Sequence, residues 1–482
     1  MNTFKTQKIR SRPPRKPLSE KAKHNFITAA ALILIIFVVY FTSVKLINGL
    51  SSTRILGLFS GLFGKELLMD DQGHTNILLL GVGGEGHEGK DLTDTIILAS
   101  IDHKNNWVSM LSIPRDLYVE SLLGGSRVNR LYEKGKLKWG SAQGLDFARE
   151  TFEKVLKVPL QYTVRVDFEA FEEIVETVGG IDVYVEQEIS DPEYPRDGTY
   201  EFEPFYLAKG QQHLDGKTAL KYVRSRHSSS DFDRSHRQHQ ALLALKQKAK
   251  EENILGKKSA LKELYYSLND HIETNLSIRE MITLADFAAN WNSDQFTSAT
   301  LSDEPIFRGG FLYTPLRELF GGAYVLLPAG DSYDSLNAFM QLIFYGPRRP
   351  ENFPLAILNG TEVSGLAGKA RTLLNRFGMS FSHIGNARVQ NLETTVWYPL
   401  SPEAGPLVEY LQKLIPGGIT QASVPEEYLQ DPRFADAKII IELGKDAQKN
   451  IDALDIFKNV FLLKAPTNGT STPAATPGVV PN

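Results

Sequence analysis

The chain has 482 residues, enough for two to four domains of ordinary size. Hydrophobic residues make up 42% and charged residues 23%, which excludes a chain disordered throughout; the absence of cysteine excludes disulfides, thiolate-ligated metals and a thiol nucleophile. Residues 1–25 carry eight Lys/Arg and one acid, so the net charge of −4 leaves −11 on the remainder, and an acidic body of that kind argues against binding nucleic acid through its phosphates.

From Phe26 to Val44 the chain is uncharged for 19 residues. As a helix that stretch is about 28 Å long, close to the thickness of a bilayer core. The basic residues 1–25 flank it on one side only, so the positive-inside rule makes them cytoplasmic and puts everything after Lys45 outside. We read 26–47 as one uncleaved transmembrane helix at the cell membrane; a cleaved signal peptide would have a shorter apolar run and a small-residue cleavage site. Residues 48–71 are apolar but broken by Gly49, Gly57, Gly61 and Gly64, and read as a juxtamembrane helix or a plain stalk.

A mixed α/β domain is expected over 72–345. NILLLG (76–81), DTIILASI (94–101) and WVSMLSI (107–113) have the length and near-continuous apolarity of buried strands. Ser141–Lys157 has helical spacing, YTVRVDF reads as a strand, Phe171–Val178 as a helix and IDVYV as a strand. Leu214–Val223, Asp231–Lys250, Ser259–Leu268 and Ser277–Asn290 read as helices. The pattern predicts a central mixed sheet covered by helices. The Pro/Arg-rich 346–353 reads as a linker. A small C-terminal α/β domain over 354–445 follows, with strands at FPLAILNG and TTVWY, helices at Ser364–Phe377 and Pro402–Leu414, and KIIIEL as its closing strand. The tail 465–482 is rich in Pro, Thr, Gly, Ser and Ala and reads as disordered.

Polar clusters interrupt the first domain where strands should end: LTDT with Asp94, SIPRD with Arg115 and Asp116, YVRSRH with Arg224 and Arg226, and DFDRSHRQHQ. Arg224 and Arg226, two apart, face one way on an extended segment. In the helix that follows, Arg234, Arg237 and Gln238 share a stripe, with Asp231 one turn earlier. Converging guanidiniums repel unless an anion lies between them, and their forks match phosphate oxygens. Taken singly, each arginine reads first as a surface salt-bridge partner; it is the whole set, with carboxylates on neighbouring strand ends, that points to an anion. A carboxylate beside a pyrophosphate, such as Asp94, can hold Mg²⁺. GVGGEGHEG (81–89) lacks the Walker pattern and leads into a strand, so it is not read as a nucleotide loop.

LLLGVG, LTDTIIL, SIPRD, RVN (127–129), VDFEAF, LDGKTALKYVRSR and DFDRSHRQHQ occur here in the order found in the LytR-CpsA-Psr (LCP) family, which the chain resembles over roughly 72–345. The stretch FPLAILNGTEVSGLAGKARTLLNRFG resembles the LytR-type C-terminal domain that often follows. The resemblance implies the LCP fold and an extracytoplasmic phosphotransferase. Such an enzyme moves a glycopolymer from a polyprenyl-pyrophosphate carrier, whose tail lies in an apolar tunnel, onto peptidoglycan. It implies Arg115, Arg224, Arg226, Arg234 and Gln238 as pyrophosphate ligands, with Arg127 where a Lys or Arg is usual; the stripe adds Arg237. It implies Asp94 as a Mg²⁺ ligand, and Asp116 and Asp231 as supporting carboxylates in a catalytic group with Arg115 and Arg234. Gly83 and Leu92 depart from the family's pattern, which has an Asp and an Arg there; Glu85, His87 and Asp91 are the nearest replacements for the missing ligand. Hydrolysis of the same lipid pyrophosphate, and a non-catalytic envelope-binding role, are the alternatives. The C-terminal domain is expected to bind wall polymer or another protein.

Overall fold

The computed structural model describes residues 66–87, 89–196, 201–225, 231–251, 271–277, 294–330, 333–415, 417–421 and 423–453, with isolated positions between 280 and 292. The expected transmembrane helix, the basic segment before it, the helix at Ser259–Leu268 and the tail 465–482 lie outside these residues, as does most of 277–290. Among the described residues no helix is long and apolar enough to cross a membrane.

The apolar runs form the middle of a six-stranded sheet. Its strands are β1 (His74–Val82), β2 (Thr93–Asp102), β3 (Trp107–Ser112), β4 (Tyr162–Asp167), β5 (Ile272–Thr274) and β6 (Phe296–Thr300). They lie in the order β5-β4-β1-β2-β3-β6. β1 runs parallel to β4, β3 runs parallel to β6, and β2 is antiparallel to both β1 and β3. The period of two along each strand sorts the apolar side chains onto two faces. Leu79, Ile97 and Val164 join one core, with Ile174 of α3 (Phe168–Thr177), Leu220 of α4 (Gly216–Arg224) and Leu245 of α5 (Asp231–Glu251). Leu78, Leu80 and Leu98 join the other. Their partners include Leu131 of α1 (Leu131–Trp139), Phe152 of α2 (Ser141–Leu156) and Phe339 of α6 (Asp334–Tyr345). Both faces are covered, which is why β1 to β3 read as continuous apolar runs.

Helix starts follow local chemistry. The Asp167 carboxylate accepts from the Ala170 N–H at 3.1 Å, capping α3, and Asp215 accepts from Thr218 N–H at 2.7 Å, so α4 opens at Gly216 rather than at Leu214. α1, which has little apolar period to reveal it, crosses α2 at a close glycine contact. A Cβ on Gly135 would stand 2.8 Å from the Gly144 Cα.

The C-terminal domain has a five-stranded sheet and two main helices. Its strands are β7 (Leu355–Asn359), β8 (Phe381–Asn386), β9 (Val396–Pro399), β10 (Ile419–Thr420) and β11 (Ile439–Leu443), in the order β8-β7-β11-β9-β10. The KIIIEL strand, expected to close the domain in sequence, is the central strand in space; all five of its residues are buried, which an edge would not allow. α7 (Leu366–Arg376) and α8 (Gly405–Leu414) cover this sheet.

The two domains share one core. Phe311 packs 5.0 Å from Phe339 and 5.0 Å from Phe377, ring centre to ring centre, and Leu374, Trp397 and Leu407 belong to the same cluster. The segment 346–353 is accordingly not a free linker. Arg348 donates to the buried Asp102 carboxylate of β2 at 2.7 Å and to the Phe344 carbonyl at 3.1 Å. A buried carboxylate needs a fixed counter-charge, and this arginine supplies it.

Burial acts most strongly on Asp102 and favours its neutral form. Hydrogen bonds from Asn105 and Arg348 outweigh that and hold the group below its ordinary 3.8. Burial also holds the neighbouring His74 below its ordinary 6.5. The unfolded chain therefore protonates His74 first, and stability declines as pH falls below 6.5. The Asp102 contribution, complete above 3.8, is lost as pH falls through its lower folded value. We predict that Arg348→Ala costs about 3 kcal/mol, as expected when one partner of a buried pair is removed, measured by urea denaturation at pH 7.5. The wild-type midpoint should fall between pH 7.5 and 5.5.

Candidate active site

β1, β3, β4 and β6 all end at one edge of the main sheet, where the antiparallel β2 begins. That edge gathers the polar clusters. At the start of β2, Asp94 accepts from Arg115, which lies three residues past the end of β3. Arg115 Nε lies 3.5 Å from Asp116 Oδ2, and Arg127 donates to Asp116 Oδ1 at 2.7 Å. The result is a row of alternating charge: Asp94, Arg115, Asp116, Arg127. Asp116 is buried between its two arginines, while the other three are partly open to solvent. Alternation lets two like charges stand close without mutual repulsion dominating.

α5 enters this edge with its first turns. Gln238 donates to the Thr95 hydroxyl at 3.1 Å and approaches the Val223 carbonyl at 3.5 Å, tying α5 to β2 and α4. Asp94, Arg234 and Gln238 line a cavity of about 460 Å³ together with Asp303, Phe307 and Arg308. Arg224 ends α4, with its guanidinium carbon 4.3 Å from the Phe168 ring centre and 5.4 Å from that of Tyr194. Such cation–π contacts hold a guanidinium in place without using up its N–H donors. Arg224 lines an apolar cleft together with Leu79, Val164, Val166, Phe171 and Leu220. Thr95, Ile97 and Gln238 line both the cleft and the larger cavity, so the two adjoin.

Two expectations need correction. Arg237 does not share the cavity of Arg234 and Gln238. Its Nε donates to the Tyr222 carbonyl at 2.9 Å, its Nη2 donates to the Ser225 carbonyl, and it lines a separate cavity with Glu186 and Asp233. Residues three and four apart on a helix differ by about 100° in direction, and only the i+4 side faces the sheet edge. Arg224 is helical rather than extended, so the alternation argued for it and Arg226 does not apply. Arg226 lies outside the described residues; Asp231 is the first residue of α5, and its side chain lies outside the described part.

Among the described residues no three His, Asp or Glu side chains converge as a metal site. Of the residues considered as replacements for an Asp at Gly83, Glu85 pairs with Lys90 at 2.6 Å on the surface and Asp91 accepts from Lys136 at 2.7 Å, whereas His87 stands where a side chain at Gly83 would be, its Cβ 2.9 Å from a Cβ built there, and packs edge-on against Phe168. Asp94 lines the cavity with its side chain 42% exposed. It fits a magnesium site of one carboxylate completed by phosphate oxygens, the arrangement this ion commonly takes at phosphate groups.

Sequence reasoning missed Thr95, the anchor of Gln238, and Phe168, the platform of Arg224. VDFEAF carried the second signal, since its first Phe directly follows the end of β4. The loop after β6, with Asp303, Phe307 and Arg308, had no recognisable motif.

Residues 57–335 match the LytR_cpsA_psr family, and residues 352–446 match the family described as LytR cell envelope-related transcriptional attenuator. The polyisoprenyl-teichoic acid–peptidoglycan teichoic acid transferase TagV of Bacillus subtilis (strain 168) is 31% identical over 242 residues, 48% of this chain and 58% of that protein. The enzyme of the same description called TagU, from Bacillus cereus (strain ATCC 14579), is 32% identical over 224 residues, 46% of this chain and 66% of that protein. The chain thus covers less than two thirds of the length of either relative. A crystal structure of B. subtilis TagV is 26% identical with a TM-score of 0.42, covering 56% of this chain and 97% of that one. With its first family match covering more than half of its length, the chain belongs to the LytR-CpsA-Psr family.

Proposed function

We propose that this protein is a membrane-anchored extracytoplasmic phosphotransferase that moves a glycopolymer from a polyprenyl-pyrophosphate carrier onto peptidoglycan or a similar envelope acceptor. The observation that carries the reading is the junction of an arginine-bearing cavity with an apolar cleft. A lipid pyrophosphate has the same two halves. The curated relatives, named as transferases of polyisoprenyl-linked teichoic acid to peptidoglycan, support the same substrate class.

In this reading the prenyl chain enters the cleft between sheet and helices, and the pyrophosphate lies at Arg115, Arg127, Arg224, Arg226 and Arg234 with Gln238. An acceptor hydroxyl attacks the phosphorus on the glycan side. The bond from that phosphorus to the bridging oxygen breaks, and polyprenyl phosphate leaves with the electron pair. The hydroxyl proton passes to a carboxylate at the strand-end edge. Guanidiniums fixed beforehand by Asp94, Asp116 and Phe168 meet the charge on the transferring oxygens without rearranging, which is where phosphoryl-transfer catalysis chiefly lies. Asp116 positions Arg115 and Arg127; Asp231 is assigned a supporting part at the start of α5. Mg²⁺ would be held by Asp94 and phosphate oxygens, and would neutralise pyrophosphate charge. Residues 26–47 anchor the protein with its N-terminus in the cytoplasm, and the C-terminal domain contacts wall polymer or another envelope protein.

Arg224→Ala and Arg115→Ala should each weaken binding of a lipid pyrophosphate by about 1.5–3 kcal/mol, the usual worth of a hydrogen bond to a charged group, measured by titration in detergent. Unchanged affinity in both variants would return these arginines to the role of surface salt bridges.

Calorimetric titration with MgCl₂ should show no saturable binding at micromolar Mg²⁺ in the free protein and clear binding once lipid pyrophosphate is present. Asp94→Asn should abolish that gain and lower transfer while leaving the thermal midpoint nearly unchanged. Full transfer in EDTA would remove the metal from the proposal.

A reporter fused after residue 345 should be active only outside the membrane. Activity confined to the cytoplasm would reverse the topology.

A further inference from the structure

The cavity at the strand-end edge has a wall that none of the family's motifs reaches. It is the loop after β6, where Ser302, Asp303, Glu304, Phe307 and Arg308 line the same space as Arg234 and Gln238. Within this loop Arg308 is anomalous. Its Nε and Nη2 have no hydrogen-bond partner and are shielded from solvent, hence from the open cavity too, with Nε turned toward Gly378; Nη1 is the donor left to meet a ligand in the cavity. Burial presses its pKa below the ordinary guanidinium value, and Glu351 only partly offsets this by attraction at a distance. Arg237, by contrast, turns its N–H groups onto the Tyr222 and Ser225 carbonyls.

Arg308 is kept in this state by the other domain. Gly378, just past the end of α7, lies against it; a Cβ there would stand 2.7 Å from Arg308 Nε. The loop itself is held by α7. Arg376 Nε donates to the Pro305 carbonyl at 2.6 Å, the Gly309 N–H donates to the Arg376 carbonyl at 2.9 Å, and the Asn375 amide donates to the Ile306 carbonyl. Three bonds from one helix end therefore fix the segment that presents Arg308 to the cavity.

We infer that Arg308 is a further substrate-binding residue, which takes a phosphate oxygen on the glycan side of the lipid pyrophosphate, and that Arg376 of the C-terminal domain is its positioning residue. The inference rests on the phosphotransferase reading and deepens it. The apolar cleft takes the prenyl side, and Arg224 is part of its lining. The phosphate bearing the glycan then projects into the larger cavity, toward Arg308. Phe307 and Tyr324 supply aromatic faces in the same cavity, and Asp303 and Glu304 supply acceptors suited to sugar hydroxyls. The second domain thereby enters the reaction without placing any side chain of its own in the lining of the cavity.

The test uses the full-length protein in detergent and two probes: a short-chain prenyl pyrophosphate carrying a disaccharide, and the same prenyl chain as its monophosphate. Arg308→Gln is expected to weaken the first by about tenfold and the second by less than about twofold, as for loss of a charged hydrogen bond to one phosphate only. Arg308→Lys should recover part of the loss. Arg376→Gln, assayed well below its own melting temperature, should show the same selectivity although it lies outside the cavity. Equal losses for both probes overturn the inference, as does no loss for either in Arg308→Gln while Arg224→Ala still weakens both. If Arg224→Ala also changes nothing, the site reading fails and the inference falls with it.

Discussion

Guanidinium groups crowded at one edge of a sheet repel each other, and the rest of the site depends on how that repulsion is answered. The answer differs from one arginine to the next. Arg115 and Arg127 share the buried Asp116, and Arg115 also reaches Asp94. Arg224 leans on an aromatic face. Arg237 turns away to backbone carbonyls. Each solution fixes a guanidinium. The carboxylate row does so through N–H donors, and the cation–π contact acts through the flat face of the group.

The same strand alternation that builds the core builds the cleft. Leu79, Ile97 and Val164 line the cleft and also belong to the core cluster on the α3–α5 face. The cleft is therefore a gap left in that core, between strands and helices that would otherwise close on each other. In the proposed reading a prenyl chain would complete this apolar packing rather than interrupt it. A cleft of this kind needs no sequence motif, only the omission of filling side chains, and its polar end falls where the strands stop.

This explains which parts were legible in the sequence. β1, β2 and β3 stood out because both their faces are buried, and SIPRD and LTDT marked the strand ends correctly, since charged residues there have nowhere to go but the sheet edge. Arg234 and Gln238 were legible from helical spacing, but Arg237 was not separated from them, because spacing shows only that residues are near one face and not where the face points. Arg224 could not be placed without knowing that α4 runs through to it. The region around Arg308 was invisible for another reason. Its partners, Arg376 and Gly378, are about 70 residues away and in a different domain, and no local pattern records such a pairing. The anchoring of the linker was hidden in the same way: Arg348 looks like surface charge until Asp102 is found beneath it.

The aromatic contact of Phe311, Phe339 and Phe377 bears on how such a chain could have been assembled. A second domain tethered by a loose segment can be gained, lost or exchanged in one genetic step. Here, among the described residues, the second domain covers apolar surface of the first, so its loss in one step would expose Phe311 and Phe339. A shortened descendant would have to replace Phe311 and Phe339 with polar residues before it could stay soluble, and a swapped partner would have to bring its own equivalent of Phe377. In this chain the junction is a single core that two stretches of sequence share.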